Sequence, residues 1–76
     1  MTKLEAFKIE VDYNTRINEA AKELMTKLEI ANYAYQVNGD YEAYALFLEE
    51  AAQISRRISI LQENQKRFLE LHRDAR

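Results

Sequence analysis

Few residues in this chain have the types and spacing that chemistry requires. Its single histidine, His72, has Leu69 three positions before it. The Glu-x-x-His pair that holds di-metal carboxylate centres in helical bundles is therefore missing. Glu70 and His72 lie two apart, which places them on different sides of a helix. There are no cysteines, so thiolate metal sites and disulfides are excluded. Ser55 and Ser59 lack the Gly-x-Ser-x-Gly elbow that exposes a nucleophilic serine. A phosphate-cradling loop needs several glycines, and the chain has one. Glu49 and Glu50 are adjacent, so on a helix they point apart and cannot act as an acid/base pair. A chain of 9.0 kDa also has little volume to enclose a water-free pocket. These residues predict a non-enzymatic protein with no catalytic, cofactor-binding or metal-ligating group.

What the chain does carry is apolar and aromatic surface at helical spacing. Proline is absent, and 47% of the 76 residues are hydrophobic against 32% charged. That composition favours helices over loop-rich folds. So short a chain buries only about 60% of the surface its unfolded form exposes, and such domains usually need a staple. With disulfides and metals set aside, a partner subunit is the expected one.

The strongest punctuation is Asn38-Gly39-Asp40, at the middle of the chain. Asn-Gly marks a turn, Gly39 can end one helix, and Asp40 can N-cap the next. Two arms flank it. The second is predicted to run from Tyr41 to about Asp74, with Tyr44, Phe47, Ala51, Ile54, Ile58, Leu61 and Phe68 in a heptad-like stripe. Ile54-Ser55-Arg56-Arg57-Ile58-Ser59-Ile60 is its weak point, where β-branched residues and serines lower helix propensity. A break there would give three helices. The first arm is predicted as helix over 15–37, with Ile17, Ala21, Leu24, Leu28, Ala31 and Tyr35 on one face. Asp12, Asn14 and Thr15 are its candidate N-caps. Glu23/Lys27, Glu63/Arg67 and Lys66/Glu70 are spaced for ion pairs along the solvent side.

Residues 1–14 form an N-terminal arm, extended or helical. Phe7, Ile9, Val11 and Tyr13 alternate with Lys8, Glu10 and Asp12, the period of a half-buried strand. A helix would instead keep Leu4, Phe7 and Val11 together. A strand here would need a partner strand from another chain.

Near the turn the apolar face widens. Tyr33, Tyr35 and Val37 on one arm join Tyr41, Tyr44, Ala45 and Leu48 on the other, more than one neighbouring helix can cover. The expected fold is all-α: a long antiparallel hairpin, 15–37 and 41–74, two copies of which pair into a four-helix bundle. The expected function is a protein-protein interaction module, a small homodimeric adaptor, regulator or inhibitor. Its interface candidates are Phe7, Ile9, Val11, Tyr13, Tyr33, Tyr41, Tyr44 and Leu48. Tyrosine suits such a surface because it combines large buried area with a polar tip. Two alternatives stand beside it: a monomeric three-helix peptide-binding domain, and a dimeric ribbon-helix-helix DNA-binding repressor.

Gly39-Asp40-Tyr41-Glu42, followed by Phe47 and Ala51, resembles the turn of a tetratricopeptide-type helical hairpin. It is also similar to the second helix of microtubule-interacting-and-trafficking domains. The resemblance covers roughly residues 28–52 and implies a helical groove for a partner helix or peptide. It departs at Tyr44, where a small residue is expected, and no second repeat follows.

Charge argues against nucleic acid, since eleven basic and thirteen acidic residues give a net charge of -2. In a DNA-reading ribbon, Glu10 and Asp12 would repel phosphate. The charge is unevenly placed. Residues 39–55 carry Asp40, Glu42, Glu49 and Glu50 and no base, whereas residues 56–76 carry six bases against three acids. No apolar run approaches the roughly 20 residues of a membrane span. MTKLEAFKIE has no signal-peptide core. A cytoplasmic protein without membrane insertion is the expectation.

Overall fold

A computed structural model describes residues 1–72. The chain forms two helices, α1 (Lys3–Gln36) and α2 (Tyr41–Leu71), packed as a hairpin with extents of 54 × 15 × 10 Å. Among the described residues there is no strand.

Helix α1 starts at Lys3 rather than near residue 15. Residues 7–13, with the locally alternating pattern of a strand, are helical. The start is set by a capping box, Thr2-Lys3-Leu4-Glu5. Thr2 Oγ1 accepts the Glu5 N–H at 3.1 Å, and the Glu5 carboxylate reaches back to the Thr2 N–H at 3.4 Å. Two backbone donors that a helix start leaves unpaired are satisfied this way. The expected caps do other work. Asp12 pairs with Arg16 at 3.0 Å, and Thr15 Oγ1 donates to the Val11 carbonyl at 2.9 Å. Asn14 Oδ1 accepts from Gln65 Nε2 on the other helix at 2.7 Å. A strand at 7–13 would have left its backbone groups without a partner within the chain. The helix pairs them internally.

The turn follows its sequence signals. Gly39 is left-handed, with φ +62°. That lets the Asp40 N–H reach back to the Ala34 carbonyl at 2.9 Å, while Asp40 Oδ1 accepts the Ala43 N–H at 3.0 Å. A Cβ at position 39 would meet nothing within 4 Å, so only the backbone conformation resists a side chain there. Gly39→Ala is expected to destabilise the hairpin by about 1–2 kcal/mol. Denaturant unfolding followed by far-UV circular dichroism measures it.

Helix α2 is continuous through residues 55–59, so the expected weak point does not break it. The third helix of the three-helix alternative and the ribbon of the DNA-binding alternative have no counterpart among the described residues. The helix ends at Leu71, where the His72 N–H bonds the Phe68 carbonyl at 3.1 Å. The expected end near Asp74 lies outside the described residues.

The seam between the helices is built on alanine. Ala6, Ala20, Ala31 and Ala34 of α1 and Ala51 and Ile54 of α2 are buried. Tyr13, Ile17 and Leu24 close it from α1, and Tyr44, Phe47, Ile58, Leu61 and Phe68 from α2, all half-buried. The predicted α2 stripe is thus the face that packs. On α1 the packed face is rotated from the prediction. Leu28 and Tyr35 are exposed, and Ala20 and Ala34 take the inner positions. Small side chains let two helices approach closely but remove little apolar surface from water. Among the described residues, Ile54 is the one large side chain that is buried.

Candidate interaction face

The hairpin has two broad sides of different chemistry. One side is charged and stitched across the seam. Lys27 Nζ lies 2.8 Å from Glu50 Oε2, and Arg57 Nη1 lies 3.2 Å from Glu23 Oε2. The Lys27 ammonium also lies 5.8 Å from the Phe47 ring centroid. Half-exposed pairs of this kind contribute about 0–1 kcal/mol each, so their chief effect is to fix how the helices align. Glu23 and Lys27, spaced for pairing with each other, both reach across to α2 instead. An open groove of about 330 Å3 runs along this side, lined by Arg16, Glu19, Ala20, Glu23, Arg57 and Leu61.

The other side is uncharged from the turn as far as Asn14 and Gln62, beyond which it carries Glu10 on α1 and Lys66 on α2. On α1, Phe7, Val11, Asn14, Asn18, Ala21, Met25, Leu28, Asn32 and Tyr35 recur at alternating spacings of four and three, one face of a helix. On α2, Tyr41, Ala45, Leu48, Ala52, Ser55, Ser59 and Gln62 do the same. Helix geometry turns both stripes away from the Lys27–Glu50 and Glu23–Arg57 pairs, onto one common side. Phe7, Val11, Met25, Leu28, Tyr35, Tyr41 and Leu48 are all exposed there, with Met25 at 62% and Tyr41 at 67%. The aromatic end is organised by Tyr35, whose ring lies 5.4 Å from Tyr41 and 4.9 Å from Tyr44.

The expected interface residues divide three ways. Phe7, Val11, Tyr41 and Leu48 share the uncharged side. Tyr44 is half-buried at its edge, Ile9 is half-buried at the seam, and Tyr13 packs 6.2 Å from Phe68 across it. Tyr33 is exposed on the back of α1, turned away from α2. The Met25 position escaped the sequence reading. Its signal was a second heptad register on α1, offset from the one that packs.

The groups considered for chemistry have structural neighbours. The His72 ring lies 4.8 Å from that of Phe68, one turn back. Ser55 and Ser59 are exposed on α2. Among the described residues, no three His, Cys, Asp or Glu side chains gather as a metal site would require. No helix among them is long and apolar enough to cross a membrane. Comparison with protein-family models, curated proteins and solved structures finds no match to this chain.

Proposed function

We propose that the protein is a non-enzymatic protein-protein interaction module, a small homo-oligomeric adaptor, regulator or inhibitor. The observation that supports this is the two-sided hairpin. One broad side carries charges that pair across the seam, while the other presents Phe7, Val11, Met25, Leu28, Tyr41 and Leu48 to solvent. More exposed apolar side chains lie on that side than on the charged one, which has Ile30 and Leu46, and such a concentration is the mark of a surface that another chain covers. Association through it adds the burial that an alanine-lined seam lacks. Affinity would come from the apolar and aromatic side chains, and charge outside the contact would set orientation.

Light scattering over a dilution series tests this. A mass of twice 9.0 kDa that persists to low micromolar concentration is the expected result. A monomer that unfolds cooperatively would contradict the homo-oligomer.

A further inference from the structure

We propose that the uncharged side of the hairpin is covered by a second copy of the same chain, antiparallel, with the two turns at opposite ends of the assembly. This rests on the interaction-module reading and adds to it the face, the occupant and the orientation.

Surface area points to an occupant of dimer size. The chain exposes 5817 Å2. A compact monomer of this mass exposes about 4,850 Å2 by the usual scaling of surface with mass. The excess of roughly 970 Å2 is close to the ~800 Å2 that each partner buries in a standard stable interface. One further copy, seated on one side, would cover an area of about that size.

Surface chemistry selects the side. Charges on the opposite side are already paired across the seam, at Lys27–Glu50 and Glu23–Arg57. Along the uncharged side, Ala45, Ala52, Ser55 and Ser59 leave room for a helix to lie close to α2. Phe7, Val11, Met25 and Leu28 supply the apolar cover from α1.

Charge also selects the orientation. The half of α2 next to the turn carries Glu42, Glu49 and Glu50 and no base, and its far half bears Arg56, Arg57, Lys66 and Arg67 against Glu63 and Glu70. With the turns at opposite ends, each acidic half lies beside the partner's basic half. With the turns together, the acidic halves share one end of the assembly. A two-fold axis across the middle of α2 then brings Ser55 near its own copy.

Point charges on exposed positions test this without disturbing the seam. Met25→Glu is expected to halve the mass seen by light scattering while helical content stays unchanged. Ile60→Glu, on a position 60% exposed outside the uncharged side, is expected to leave the dimer intact. Ser55→Glu and Ser55→Lys should each be monomeric alone, and mixing them should restore a mass of twice 9.0 kDa. A wild-type monomer would overturn both this proposal and the homo-oligomer reading, leaving the side open to a helix from another protein. A wild-type dimer that survives Met25→Glu, or dissociates with Ile60→Glu, would overturn the face alone. Monomeric Ser55 variants that fail to recombine would overturn the orientation.

Discussion

Ile54→Ala is expected to lower the unfolding free energy by about 2–4 kcal/mol, the cost of deleting a well-packed aliphatic side chain from a core. Ile54 is 3% exposed and sits near the middle of α2, against α1. The residues buried with it are alanines, which have no freedom to collapse into the space it would leave. Small domains have only about 5–15 kcal/mol in total, so this one change removes a large part of the stability. Denaturant melts at one fixed protein concentration measure the loss and hold any self-association constant. Ile58→Ala, at a half-buried position, serves as the comparison and should cost less. Equal midpoints for Ile54→Ala and wild type would mean that Ile54 does not face the seam.

The opposite change has a comparable effect at Ala31. This residue is 1% exposed, so its methyl group is fully enclosed. Ala31→Leu adds atoms at a closed point of the seam, and overpacking of this kind costs about 1–3 kcal/mol. For a domain of 60–100 residues each kcal/mol corresponds to about 4–8 °C in Tm. A fall of roughly 5–20 °C is therefore expected in a thermal melt. A rise would mean a loose seam with room to fill.

The two helices were not equally legible in the sequence. Along α2 the stripe Tyr44, Phe47, Ala51, Ile54, Ile58, Leu61, Phe68 is made mostly of large residues in one register, interrupted at Gln65, so periodicity alone located the packed face. The Asn38-Gly39-Asp40 turn was equally plain, because Gly39 and Asp40 have local roles that spacing reveals. Helix α1 was harder. Phe7, Ile9, Val11 and Tyr13 alternate over a span too short to separate strand from helix. The deciding signal was the Thr2–Glu5 capping box, which begins five residues before the ambiguous run and is visible as Thr-x-x-Glu. Once a helix starts at Lys3 it continues, since nothing before Gly39 breaks it.

The α1 seam was misplaced for a different reason. Ala6, Ala20, Ala31 and Ala34 carry little hydrophobic weight, so the larger Leu28 and Tyr35 drew the predicted stripe part of a turn away. Those two residues belong to the exposed register that also holds Met25 and Val11. The ion pairs Lys27–Glu50 and Glu23–Arg57 were illegible from either helix alone. They depend on the alignment of one helix against the other, which local spacing does not encode. The same holds for the division of the interface candidates. Tyr33 and Tyr41 look alike in sequence, yet one lies behind α1 and the other on the uncharged side.

The most direct test of the self-pairing hairpin exploits the absence of native cysteine. A single Ser55→Cys substitution places a thiol on the uncharged side of α2, near the proposed two-fold axis. A single Gln53→Cys substitution places one on the charged side, beside Lys27 and Glu50. Each is treated with a short bifunctional thiol reagent at low micromolar protein and resolved by denaturing electrophoresis. Rapid cross-linking of Ser55→Cys to twice the chain mass, with Gln53→Cys remaining at 9.0 kDa, is the expected result. Equal slow cross-linking of both, or faster cross-linking at position 53, would contradict an antiparallel second copy on this face.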